Sequence, residues 1–229
     1  MRDLRLVRLL QLASPALPVG AYSYSQGLES AVEAGIVHDA ASAQHWIADV
    51  LELSLANMEA PLLLRLQAAW ALRDFAAVEY WNALFLASRE SAELRAETVQ
   101  MGYSLTRLLQ ELGEPGVPDP CSFPQLQRID EPAFPTAYAC AAAQWRIEPS
   151  LALMAYLWSW IENQVMAAIK LVPLGQTAGQ KILLALGARL EGVAQAAGTC
   201  ADHELGSFAP GLAILCSRHE TQYSRLFRS

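Results

Sequence analysis

Apolar residues recur at three- and four-residue intervals along most of the chain, the spacing that gives a helix one buried face. The pattern is plainest between residues 39 and 59. Trp46, Ile47, Val50, Leu51, Ser54 and Leu55 fall on one side, and His45, Asp49, Glu52 and Glu59 on the other. Asp39 offers the short acceptor side chain that caps such a helix. The same reading predicts helices over about 4–12, 24–34 (stopped by Gly35), 61–70 (opened by Pro61), 73–87, 91–112, 123–129 and 135–147. The segment 150–172 is apolar nearly all round, with Leu153, Tyr156, Leu157, Trp160, Ile161, Val165 and Ile169, which predicts the buried centre of a bundle. Glu148-Pro149-Ser150 starts that helix and Pro173 stops it. A last long helix is expected over 177–197.

After Gly206 the pattern loosens until 218–226, which reads as a short helix or as an arm that orders on binding. No two-residue alternation persists over a strand's length, no Asn-Gly hairpin turn occurs, and no repeat of fixed period is present. Gly113 to Pro120 is the strongest break, read as a long surface loop because the flanking amphipathic helices need each other's apolar faces. The fold class is all-α: one helical bundle of roughly eight to ten helices spanning 1–229, with 206–229 a flexible or partner-ordered tail.

One stretch departs from the helical pattern. Leu9 to Leu28 carries no charge and is long enough to suggest a membrane span. Pro15, Pro18 and Gly20 interrupt it, and Tyr22-Ser23-Tyr24-Ser25-Gln26 carries a hydrogen-bonding group at every position. This predicts a rigid, aromatic turn feeding a helix capped by Ser23 or Ser25.

Composition narrows the function. Hydrophobic residues make up 53% of the chain and charged residues 17%, a balance that implies apolar surface buried against another chain. The formal net charge of -7 argues against nucleic-acid binding, which needs a basic face. Cys121, Cys140, Cys200 and Cys216 form no C-x-x-C pair and are expected as free thiols in a reducing cytoplasm. Asp3 and Arg8 interrupt the first apolar run, so the start reads as a cytoplasmic amino terminus and not as a signal peptide.

Catalytic templates are missing: no H-E-x-x-H, no G-x-S-x-G elbow and no true phosphate loop, since Gly175 to Lys181 has the wrong spacing and a helix before it. His45 with Asp49 and Cys216 with His219 have helical spacing, but two ligands make a weak metal site. A polar stripe of Ser159, Glu162, Asn163 and Lys170 on the most apolar helix is a candidate acid–base site, and the basis of a competing reading as a helical enzyme. Lys170, Gln176, Gln180 and Lys181 form a polar corner around Pro173. The end of the chain, with Tyr223, Arg225, Leu226 and Phe227, has the aromatic and guanidinium composition of docking surfaces.

Three motifs also carry a resemblance. Leu12 to Glu29, Lys170 to Gln180 and His219 to Ser229 are similar, in that order, to the signatures of the UreF-type urease accessory proteins. The resemblance implies a non-catalytic urease maturation factor, cytoplasmic and homodimeric, that binds a UreD/UreH-type accessory protein. It implies recruitment of a UreG-type GTPase to apo-urease for GTP-dependent nickel delivery, with no tightly bound cofactor and nickel at most in transit. It also implies partner-binding residues: Tyr22, Ser23, Tyr24, Gly27 and Glu29 in the first motif, and Lys170, Pro173, Gln176, Gly179 and Gln180 in the second. In the third they are His219, Glu220, Tyr223, Arg225, Leu226, Phe227 and Arg228. A direct nickel carrier remains a further alternative.

Overall fold

The computed structural model describes residues 2–112 and 122–229, and every regular element among them is helical. In chain order the α-helices are α1 (Arg2–Leu12), α2 (Leu28–Glu33), α3 (Ala40–Val50), α4 (Ala60–Leu72), α5 (Phe75–Ala87) and α6 (Ala92–Leu112). They continue as α7 (Ser122–Leu126), α8 (Phe134–Gln144), α9 (Pro149–Leu171), α10 (Gln176–Gly187), α11 (Leu190–Thr199) and α12 (Pro210–His219). The loop expected at 113–120, and Cys121, lie outside the described residues. Cys140, Cys200 and Cys216 are free thiols.

Local chemistry explains several boundaries. Asp39 caps α3 by accepting from Ser42 N at 2.8 Å, and Ser42 Oγ accepts Asp39 N in return. Glu148 accepts Leu151 N at 3.0 Å and Pro149 opens α9, as the sequence predicts. Asp74 accepts Ala77 N at 3.0 Å and starts α5.

Between α3 and α4 the helix does not stop. It widens into a π-helix over Leu51–Glu59, so the segment expected to begin at Pro61 is a continuation. Pro61 has no N–H to offer the carbonyl of Asn57 four residues earlier. Gly206 N fills that place at 3.1 Å, and Phe208 N donates to the neighbouring Leu53 carbonyl at 3.2 Å. A chain passing over the widened turn therefore satisfies carbonyls that the proline and the π geometry set free.

The most buried helix is α8, in place of the expected α9. From Pro135 to Ala142 every residue is buried, because Ala137, Ala139, Cys140, Ala141 and Ala142 are small enough to let α8 run between α4 and α6. Helix α9 is less completely buried: Leu153, Leu157, Ile161 and Val165 are buried, Met154, Trp158, Glu162 and Ile169 are half-buried, and Ser150, Leu151 and Lys170 at its ends are exposed. The helix predicted over 177–197 is two helices, broken at Gly187-Ala188-Arg189. There Gly187 lies against the Trp158 ring and Arg189 pairs with Glu52 at 2.6 Å.

Helix α6 is held to the entry of α8 at one point of backbone contact. A Cβ on Gly102 would sit 1.8 Å from the Pro132 carbonyl oxygen. Alanine in a helix is otherwise favoured over glycine by about 1 kcal/mol, but relieving this overlap requires α6 and the 132–133 backbone to separate. Gly102→Ala is therefore expected to lower stability by about 3 kcal/mol in urea denaturation. A variant as stable as the parent chain would show that the two backbones are not in contact.

Candidate functional site

The amino-terminal turn is not the start of a helix. Ala21–Ser23 forms one 3-10 turn, Tyr24 is extended, and α2 begins at Leu28 with Gly27 at its N-cap. Gly27 has φ +79°, and a Cβ there would lie 3.0 Å from Cys216 Sγ on α12, so glycine is required on both counts. Ser25 still serves the helix end, its Oγ accepting Glu29 N at 3.3 Å. Gln26 is left-handed at φ +51°, which costs a non-glycine residue about 1–2 kcal/mol.

The backbone takes this shape because the end of the chain lies along it. Arg228 N donates to the Ser23 carbonyl at 2.7 Å, and the Ser229 carbonyl accepts Ser25 N at 2.7 Å and Gln26 N at 3.1 Å. Ser25 Oγ reaches the same carbonyl at 2.6 Å. Helix α12 ends at His219, so the segment read as a short helix or a binding-ordered arm over 218–226 is largely turns and bends folded back onto the first motif. From Leu226 to Arg228 its backbone donors are taken by Glu29 of α2 and by the turn.

Three carboxylates hold the segment 219–229. Glu29, in the first turn of α2, accepts Leu226 N at 2.7 Å and Phe227 N at 2.9 Å. Its Oε2 also lies 3.2 Å from His219 Nε2. Glu93 of α6 lies 2.6 Å from His219 Nδ1 and accepts Arg225 Nη1 at 2.6 Å. Glu97, one turn further along α6, accepts Gln26 Nε2 at 2.6 Å and Ser229 Oγ at 2.7 Å. Glu220 closes the arrangement from the other side by accepting the first amide of α6, Ala92 N, at 2.8 Å. His219 is fully buried and Phe227 nearly so, with the Lys170 ammonium 5.5 Å above the Phe227 ring.

Beside this seam lies a cavity of about 90 Å³, room for a few waters at about 30 Å³ each. The turn forms one wall, with Glu97, Arg89 and Glu59 on another and Tyr156, Trp160 and Glu162 of α9 on a third. Gln26 Oε1 accepts Trp160 Nε1 at 2.6 Å, the Tyr156 hydroxyl donates to Glu59, and Arg89 pairs with Glu59 at 3.4 Å while lying over the Phe85 ring. Burial, then the charge of Glu59, pushes the Tyr156 phenol far above its usual range. Burial raises Glu97 to about 7, against the pull of its Gln26 and Ser229 hydrogen bonds. Burial also raises Glu162 and, with nearby carboxylates, takes the Cys216 thiol up to about 12.

The structure thus brings together Ser23, Tyr24, Gly27 and Glu29 with His219, Phe227 and Arg228, and adds Lys170. Tyr22 stands at the exposed rim of the cavity. Tyr223, Arg225 and Leu226 point outward. Pro173, Gln176 and Gln180 are exposed at the corner between α9 and α10. Gly179 is buried there, where a Cβ would lie 2.5 Å from Ile169 Cδ1.

The acid–base stripe converges only in part. Ser159 bonds its own helix carbonyls, Asn163 donates to the Tyr24 carbonyl at 3.2 Å, and Lys170 lies at Phe227, outside the cavity that the other three line. His45 and Asp49 form a solvent-exposed pair at 3.4 Å. Among the described residues no group of three or more His, Cys, Asp or Glu could hold a metal ion, and no helix is long and apolar enough to cross a membrane.

Sequence reasoning missed Gln26, Glu93, Glu97 and Trp160. One signal was available: Glu93 and Glu97 are an i,i+4 pair of like charge, unfavourable on a helix unless a partner supplies donors.

Comparison with known proteins agrees with the motifs. The chain is 61% identical to the urease accessory protein UreF of Azoarcus sp. (strain BH72) over 230 residues, covering 99% of this chain and 96% of that protein. It is 55% identical to the urease accessory protein UreF of Dechloromonas aromatica (strain RCB) over 226 residues, 99% and 98% of the two chains. It is 50% identical to the bifunctional urease accessory protein UreEF of Bordetella bronchiseptica over 228 residues, 98% of this chain but 52% of that protein. These matches are all to urease accessory proteins. The UreF family profile matches residues 37–187, and the chain belongs to the UreF family.

The buried Glu97 generates a stability prediction. Its folded pKa lies above that of a free carboxylate, so its contribution is fully present below the free value, near 4.5, and is lost as pH rises through about 7. Glu97→Gln keeps the neutral form at all pH. The melting temperature of the variant relative to the parent is expected to rise between pH 5 and pH 8, and a flat difference would contradict the assigned burial.

Proposed function

We propose that this chain is a non-catalytic urease maturation factor that docks a UreD/UreH-type accessory protein and recruits a UreG-type GTPase to apo-urease. Nickel enters this reading as cargo in GTP-dependent transit, and the working form is a cytoplasmic homodimer. The observation that carries it is the division of labour along residues 219–229. His219 and Phe227 are buried and anchored, while Tyr223 is fully exposed and Leu226 is 64% exposed between them. An aromatic and an aliphatic side chain held in solvent by an anchored backbone are already ordered, so a partner that meets them spares that entropy. The exposed corner of Pro173, Gln176 and Gln180 offers a second contact. The UreEF relative supports work alongside another accessory protein, because its name joins two such functions in one chain.

The test is co-expression with a UreD/UreH-type protein and size-exclusion chromatography with light scattering. The parent chain is expected to co-elute with its partner. Tyr223→Ala combined with Leu226→Ala is expected to weaken the complex at least about tenfold, the loss of one or two interface anchors, with no change in melting temperature. Undiminished binding by the double variant would move the interface elsewhere. Failure of the parent chain to form any complex would overturn the partner assignment.

A further inference from the structure

The cavity beside the seam is lined, among the described residues, by three carboxylates and one cation. Their commitments differ. Glu59 pairs with Arg89 at 3.4 Å and accepts the Tyr156 hydroxyl. Glu97 has one oxygen on Gln26 Nε2 and the other on Ser229 Oγ. Glu162 has neither a hydrogen bond nor an ion pair among the described residues, and burial alone raises its pKa. It is the one member of the α9 polar stripe that no contact within the fold accounts for.

Glu162 stands at the mouth. The Tyr22 ring is half-exposed on the rim, and its phenol is close enough for the Glu162 charge to raise it. Inward from this pair the walls are apolar. Leu12, Leu17 and Val19 come from the end of α1 and the segment after it, Leu94 and Met101 from α6, and Phe134 from α8.

These walls select an occupant. An anion finds no free cation, because Arg89 is engaged by Glu59 and lies 4.1 Å over the Phe85 ring, and Glu162 repels it. A bare metal ion lacks ligands, since no group of three or more His, Cys, Asp or Glu among the described residues could hold one. A neutral apolar molecule fills the interior and leaves Glu162 unmatched. An organic cation with an apolar body suits both ends, its ammonium donating to the carboxylate with an aromatic ring beside it. A cavity of about 150 Å³ takes a benzene ring, so the 90 Å³ here holds a chain of about four carbons.

We propose that this cavity is a binding site for a short primary alkylammonium ion, with its carbon chain among Leu12, Val19 and Met101 and its ammonium on Glu162. The site is complete within one chain and does not depend on which partner the exposed face of the protein meets. The same chemical group occurs in free aliphatic amines and at the end of a lysine side chain, two sources that the experiment separates.

The test is titration of the parent chain at about pH 8 and constant ionic strength, followed by the methionine ε-methyl NMR signals. The probes are n-butylammonium, n-butanol and n-butyrate, which share an apolar body and differ in charge. Butylammonium is expected to shift the Met101 signal saturably and to leave Met166, outside the cavity, unmoved. Butanol is expected to bind at least about tenfold more weakly, as loss of a charged hydrogen bond implies, and butyrate not to bind. Glu162→Gln keeps the shape of the side chain. It is expected to weaken butylammonium about tenfold or more and to leave butanol unchanged, a split that a purely structural role would not produce. Nα-acetyl-lysine methylamide then identifies the source. A Met101 shift with this compound as well assigns the site to a protruding lysine, and a shift with butylammonium alone assigns it to a free amine. Equal affinity for the three charge types would overturn the proposal without recourse to any variant. So would the absence of a saturable shift at Met101, which would leave the cavity to water.

Discussion

Glu29 sets the arrangement of the whole face. A carboxylate in the first turn of a helix suits the helix dipole, yet this one is buried, and an ionised group taken from water without partners is destabilising by several kcal/mol. It finds donors in the amides of Leu226 and Phe227, and its Oε2 lies 3.2 Å from the His219 ring. The turn at 23–26 then has no freedom left. Its backbone must meet the same segment edge to edge, which accounts for the left-handed Gln26 and for the delay of α2 to Leu28. Two motifs separated by nearly the full length of the chain are one structural unit because each completes the other's hydrogen bonds.

That unit needs α6 to be placed accurately, since Glu93 and Glu97 form the opposite wall. The placement comes first from packing. The alanine-rich α8 admits both α4 and α6 at short range, and Gly102 brings α6 to the backbone that leads into α8. Buried hydrogen bonds tie this junction further: Asn82 of α5 accepts Ala133 N at 2.9 Å and Thr136 Oγ1 at 2.7 Å, and Thr98 of α6 accepts Phe134 N. A shift of a fraction of an ångström in α6 would detach two carboxylates from a histidine, a glutamine and a serine at once. The small-residue core is thus the support for the charged seam.

Most helices, their caps at Asp39 and Glu148, and the all-α class were legible in the sequence because they follow from local periodicity and local chemistry. What was not legible is tertiary in origin. The π-helix needs a donor from Gly206, 149 residues beyond Asn57 in numbering, to fill the place that Pro61 leaves. The break at Gly187 falls where the chain packs against a tryptophan of another helix. Helix α9 looked like the centre because hydropathy weighs side-chain size, whereas burial on all sides favours the small residues of α8. Local pattern left 218–226 between a short helix and an arm, because it cannot register an outside carboxylate competing for backbone donors. The first and last motifs were recognisable one by one, and their meeting was not.

The fate of the polar stripe shows how the seam separates structure from function. Ser159, Asn163 and Lys170 share one face of α9, which in sequence looks like a prepared site. In the fold Ser159, Glu162 and Asn163 line one cavity, and Lys170 lies outside it. The Ser159 hydroxyl returns to its own helix, the Asn163 amide holds the Tyr24 carbonyl, and the Lys170 ammonium covers the Phe227 ring. The motif side chains that remain uncommitted, Tyr223, Leu226 and the corner at Pro173, are those that face outward. Polar contacts inside this protein fix the shape of the surface that carries Tyr223, Leu226 and the corner at Pro173.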